Sequence, residues 1–166
     1  MQKKYELVKE SEIQRGGFTL YRIRALIDIP TAHVKAGDLG GWIHCEENLT
    51  HDGTCWVANA AIVTDEARVK DDAQVADHAV VKDEAIVDSS ARVYGSAIIR
   101  GKAVVTGYAR VYGNAVVERF ALVAGRAWIY GKLRITDRAE ITGSADLSGE
   151  GVIGGYIQLS AFNHGF

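Results

Sequence analysis

Arg92 and Arg110 stand eighteen residues apart, and Tyr94, Tyr112 and Tyr130 repeat at the same interval. Trp128 lies one interval beyond Arg110, and Trp56 lies two intervals before Arg92. A guanidinium offers five donors in a planar fork that fits phosphate or carboxylate. Aromatic faces stack on guanidinium planes and on bases. Such a set can recognise an anion, a nucleotide or a partner protein. Read structurally, the same residues make a surface ladder that only stabilises one face.

Other candidate chemistry is sparse. His78 is the one histidine within the regular part of the chain and follows Asp77, so it is the one candidate general base. Its bland reading is an exposed turn histidine. Asp65, Glu66, Asp83 and Glu84 supply oxygens of the kind calcium takes. Lys102 follows Glu84 by eighteen residues, which favours plain ion pairing, so no metal is expected. Phosphate-binding loops, dinucleotide fingerprints and nucleophile elbows are not found.

These residues are carried on a strict period of six. From Val57 to Leu159 every sixth residue is aliphatic, and the residue two before it is alanine at 14 of 18 positions, the exceptions being Cys55, Leu133, Gly151 and Ile157. Neither a helix nor a simple strand buries at that period, so it marks a repeat architecture. The hexad reads small, outward, aliphatic, polar, turn, turn. Its first turn position holds mostly Gly, Asp and Asn, from Asn59 to Gly155, which tolerate left-handed backbone and make tight corners. Short strands broken by a corner every six residues form a coil with flat sides. Ile43 and Leu49 are in step with the series, so the coil is expected to begin there.

Before the repeat, Tyr5–Val8 and Phe18–Ile29 read as two strands joined around Gly16-Gly17, the second ended by Pro30. Residues 1–33 are expected to form a hairpin cap, and residues 34–166 the repeat. The ring-rich C-terminus, with Tyr156, Phe162 and Phe166, is expected either to cap the last coil or to join two molecules end to end.

The 166 residues suffice for one domain with a substantial core. Net charge is −2, but residues 46–90 carry 11 acidic against 3 basic residues, and residues 91–138 carry 2 against 9. That asymmetry becomes a gradient along a rod-like fold, either as solvated faces and ion pairs or as a recognition field. No apolar stretch suits a transmembrane helix, and Met1–Glu10 lacks the apolar run of a signal peptide, so a cytoplasmic location is expected. Cys45 and Cys55 read as buried thiols rather than a disulfide.

The alternation of small and aliphatic residues at period six resembles the hexapeptide repeat of left-handed parallel β-helices. That resemblance implies an all-β fold with three hexads per coil and a triangular prism. Gly37-Asp38-Leu39-Gly40-Gly41-Trp42-Ile43, Glu46-Glu47-Asn48-Leu49 and Gly53-Thr54-Cys55-Trp56-Val57 also resemble the YdcK-like proteins of bacteria and phages. Those are grouped as transferases by fold alone.

With eighteen residues per coil, residues one interval apart stack about 4.8 Å apart. One outward column is then Trp56, Gln74, Arg92, Arg110, Trp128 and Asp146, flanked by Tyr94, Tyr112 and Tyr130. A second begins Ile62, Val80, Ile98, Val116. A third runs through Ile86, Val104 and Leu122. Outward aliphatic ladders meet a partner. Proteins of the resembled fold are usually trimers packed side by side, which these columns suit; the alternative is that the N-terminal hairpin folds over them.

The resemblance also implies enzyme classes to weigh. Acyltransferases of this fold use a histidine base and loops that hold coenzyme A, whereas here the hexads run without insertion and only His78 is available. The zinc carbonic anhydrases need several histidines in register, which are missing. The expectation is therefore a non-enzymatic homotrimer without cofactor, binding a protein or an anionic ligand such as a nucleotide through the basic and aromatic face. The phage resemblance extends this to inhibition of a host-defence factor. An acyltransferase using a coenzyme A thioester, with His78 as base, is the alternative.

Overall fold

Each small–x–aliphatic unit turns both apolar side chains to the same side of a two-residue strand. All of these inward positions from Cys55 through Ala145 are buried. The computed structural model describes residues 2–161, and over them the chain is a parallel β-solenoid of about seven turns with almost no helix. No helix among the described residues is long and apolar enough to cross a membrane.

Strands pair with those eighteen residues on. Trp56–Val57 lies beside Gln74–Val75, then come Arg92–Val93, Arg110–Val111, Trp128–Ile129 and Asp146–Leu147. Two further sheets are built the same way, one through Ile62–Val63 and one through Arg68–Val69. Three flat faces result. Between them the chain turns at a residue of positive φ, 55–76° from Asn59 to Gly143. Where that residue is aspartate, its carboxylate accepts the N–H of the corner one coil above. Asp77 takes Gly95 at 3.0 Å, and Asp83 takes Gly101 at 2.8 Å. Aspartate thus makes the turn and satisfies the next one's donor.

The N-terminal segment joins the second face. β1 (Tyr5–Arg15) pairs antiparallel with β2 (Phe18–Ala25), with a bulge between Val8 and Ile13. β2 pairs antiparallel with β3 (Leu39–Ile43), and β3 lies parallel to Ile62–Val63. The first strand therefore runs seven residues past the expected Val8, and the second stops at Ala25 rather than Ile29. The part of β1 beyond Val8 is largely solvated, so no alternation betrays it. After Ala25 the chain bends so that Ile29 bridges Val34 around a short 3₁₀ turn at Pro30–Ala32.

A buried polar cluster holds this segment on the first coil. The Lys4 ammonium is buried and donates to the carbonyls of Asp52 and Gly53, both at 3.4 Å, and to Cys55 Sγ at 3.2 Å. The Tyr5 hydroxyl donates to the Leu49 carbonyl at 2.7 Å, and its ring stacks on His51 at 4.4 Å. Asn48, fully buried, accepts from the N–H of His44 and Cys45 and donates to the carbonyls of Asp65 and Ala67. Cys55 is buried as expected, whereas Cys45 is only partly so, and both are free thiols.

Burial pushes the Tyr5 hydroxyl far above the ordinary tyrosine value, and Glu46 adds to the shift. Below pH 10 both folded and unfolded states keep this proton, and the contribution is complete. Above it only the unfolded chain releases the proton, so stability falls with rising pH, by about 1.4 kcal/mol per unit from this group alone. Tyr5→Phe is expected to flatten the alkaline loss of melting temperature, at a cost of about 1 kcal/mol at neutral pH from the lost hydrogen bond. Parallel alkaline melts of the two proteins that stay superimposable in slope would contradict this.

Candidate functional site

The register of the first face's strands sets unlike residues, arginine beside arginine and tryptophan, in one column. Arg92 lies directly beside Arg110, and Arg110 beside Trp128. The Arg110 guanidinium carbon sits 5.0 Å from the Trp128 ring centroid, a cation–π contact that turns this charge toward the indole. Arg92 is exposed. Among the described residues, neither guanidinium lies in an ion pair, unlike Arg100, which binds Glu118 through Nε at 2.7 Å. Two like charges one coil apart and unpaired favour an anion between them.

Two residues along each strand stand Tyr94, Tyr112 and Tyr130. Their rings stack at 4.8 Å with interplanar angles of 2° and 3°. Such pairs contribute about 0.5–1.5 kcal/mol each beyond their buried area. Burial between neighbours, and next the two flanking tyrosines, hold the Tyr112 hydroxyl above its ordinary value, so it stays a neutral donor. Inner ring faces cover one another. The column ends in a small residue on each side, Ala76 below Tyr94 and Ser148 above Tyr130, and of the two ends only Ala76 and Tyr94 border a groove with the arginines.

Trp56 does not belong to this strip. It is 2% exposed, with the Tyr5 ring edge-on at 6.5 Å. Gly40 of β3 makes the room, since a Cβ there would sit 2.7 Å from Trp56 Cζ2. The irregular run before Cys55 hid this contact, because its packing partner depends on where β3 crosses the coil.

Two grooves flank the arginines. One, of about 300 Å³, is lined by Thr31, Asp72, Gln74, Ser90, Arg92, Tyr108 and Arg110. The other, of about 280 Å³, is lined by Gln74, Ala76, Asp77, Arg92, Val93, Tyr94 and Arg110. Gln74 Nε2 donates to the Thr31 carbonyl at 2.9 Å, fixing the 3₁₀ turn as a wall below the arginines. Tyr108, 63% exposed, has Arg126 above it at 5.7 Å from the ring centroid. Tyr108, Ser90 and Thr31 were not among the residues expected at this site. The first two were findable by following the last turn position down the coils (Asp72, Ser90, Tyr108, Arg126). Thr31 lies outside the repeat and has no such register.

The other singled-out residues fall elsewhere. His78 sits exposed at a corner, and among the described residues no hydrogen bond orients its imidazole. At the acidic corner Lys102 pairs with Glu84 at 3.5 Å. Among the described residues no group of three or more His, Cys, Asp or Glu is placed to hold a metal ion. On the second face Ile62 is 6% exposed, because the turn of the β1–β2 hairpin (Arg15, Gly16, Phe18) and Leu20 rise beside it and flank Val80. Ile98 and Val116 above it, and Ile86, Val104 and Leu122 on the third face, stay half-exposed. Tyr156 is exposed, whereas Phe162 and Phe166 lie outside the described residues.

No family model matches the sequence, and no curated protein matches it.

Proposed function

We propose that the chain is a non-enzymatic binding protein whose first face captures an anionic ligand or an acidic patch on a protein. The observation that carries this reading is the pair Arg92 and Arg110, stacked and without carboxylate partners among the described residues, at the ridge between two grooves roofed by tyrosines. Tyr94, Tyr112, Tyr130 and Trp128 supply the rigid aromatic surround that favours a binding hot spot. The unbroken run of strands from Trp56 to Ile129 supports a scaffold for recognition rather than turnover. Inhibition or sequestration in the cytoplasm, directed at a nucleotide-dependent factor of host defence against phage, is the role this reading extends to. Removing both guanidinium groups tests it, with the outcome given in the Discussion.

The scaffold in this proposal is a left-handed hexapeptide-repeat prism, residues 34–166, capped by residues 1–33. It assembles side by side as a homotrimer through Val80, Ile98 and Val116 of one face and Ile86, Val104 and Leu122 of the next. The hairpin removes Ile62 from that surface. Burying each half-exposed aliphatic adds about 1.5 kcal/mol at most per protomer, half of a full transfer. A Val104→Glu protein is therefore expected to run as a monomer in sedimentation and native mass spectrometry, where the parent runs at three times the chain mass. A parent chain that is monomeric at micromolar concentration would remove the trimer.

A further inference from the structure

The two grooves share Gln74, Arg92 and Arg110 as a common ridge, and each ends beneath an aromatic ring. On one side the ring is Tyr94, and one coil below it stands Ala76. On the other the ring is Tyr108, and one coil below it stands Ser90. Each small side chain leaves the space of one coil, about 4.8 Å, beneath an uncovered ring face. The tyrosine ladder already stacks at 4.8 Å, so a planar ring placed above Ala76 continues it by one step. Tyr108 is covered from above by Arg126, which leaves its lower face as the one that looks into the groove.

Each slot also holds one carboxylate. Asp72 Oδ1 accepts from Thr54 N and Oγ1, and Asp77 Oδ2 accepts from Gly95 N, so each keeps one oxygen free of these bonds. A carboxylate repels phosphate and accepts the N–H of a base. Phosphate therefore belongs on the arginine ridge and bases belong in the slots. Ser90 and Tyr94 are four residues apart along the chain, with Arg92 midway, a span of roughly 13 Å at about 3.3 Å per residue.

We infer that the ligand of this face is a dinucleotide, with its bridging phosphate on Arg92 and Arg110 and one base beneath each of Tyr94 and Tyr108. This rests on the anion-binding reading above and names its ligand class.

Calorimetric titration with adenylyl-adenosine, adenosine monophosphate, inorganic phosphate and a single-stranded oligoadenylate tests it. Stacking on a ring face is tolerant of the base, so adenine serves as the probe. Adenylyl-adenosine is expected to bind about tenfold or more tighter than adenosine monophosphate, since the second base binds as part of the same molecule. Tyr94→Ala and Tyr108→Ala are each expected to lose about tenfold for the dinucleotide, a larger loss than either shows for inorganic phosphate. The oligoadenylate is expected to bind no tighter than the dinucleotide, because each slot ends at a corner of the solenoid. Tighter oligoadenylate binding would make the ligand a nucleic-acid strand and overturn the inference. Equal affinity for dinucleotide and phosphate, indifferent to both tyrosines, overturns the inference while the anion site stands. Binding of no phosphate probe overturns the dinucleotide outright; if Arg92→Ala/Arg110→Ala then still abolishes capture of a protein partner, the broader reading survives alone.

Discussion

A protein carrying Arg92→Ala and Arg110→Ala together is expected to fold and melt like the parent and to lose at least about a hundredfold in affinity for its anionic ligand or partner. Hydrogen bonds to a charged group contribute about 1.5–3 kcal/mol each, and two guanidinium forks acting on one anion put the loss at about 3 kcal/mol or more. The fold is spared for a definite reason. Neither side chain is in an ion pair among the described residues, and removing them relieves a like-charge contact across one coil. Loss of the Arg110–Trp128 cation–π contact offsets that relief, so the change in stability is expected within about 1 kcal/mol. Lysine at both positions keeps the charge but not the planar fork, so Arg92→Lys/Arg110→Lys is expected to recover only part of the affinity and to show the stronger dependence on salt. Equal binding by the double alanine protein, measured by calorimetry or by capture of a partner from host lysate, would remove the first face as the site.

Gly40→Ala is expected to destabilise the chain strongly, because its methyl group would meet two separate parts of the fold at once. A Cβ at Gly40 would stand 2.5 Å from Ile23 Cγ1, 2.6 Å from the Val57 carbonyl oxygen and 2.7 Å from Trp56 Cζ2. Ile23 belongs to β2 and Val57 to the first full coil, so one atom wedges the N-terminal hairpin away from the solenoid. The carbonyl is backbone and cannot rotate aside. Overpacking of this kind costs about 3 kcal/mol, which in a chain of this length lowers the melting temperature by roughly 6–12 °C. Trp56 fluorescence is expected to shift toward that of a solvated indole before the repeat itself melts, since the disruption falls at one end of a quasi-linear array. A melting temperature within about 1 °C of the parent would mean that β3 does not cross the coil as closely as its geometry requires.

The two predictions differ in what made them visible. Arg92, Arg110 and the three tyrosines were legible from spacing, because a solenoid maps residues eighteen apart onto neighbouring positions. Gly40 was not, because it lies where no register yet applies and its importance comes from Ile23 and Trp56, residues from two other parts of the chain. Trp56 shows the same limit. Its place in the outward column is correct, yet it is buried, because Tyr5 and Gly40 of β3 come to rest against it.

By itself, then, the sequence determined the solenoid, its inward residues, its corners and the stacking of Arg92 on Arg110. All of these follow from local geometry repeated at a fixed interval, where each hexad's pattern needs only its own strand and corner. The tertiary structure alone decided what the non-repeating residues do to that surface. It placed the hairpin over Ile62, buried Trp56, and stood the Thr31 turn beside Gln74 to wall the groove. Those outcomes depend on packing between segments distant in the chain, whose free energy is set by shape and buried area and leaves no period to read.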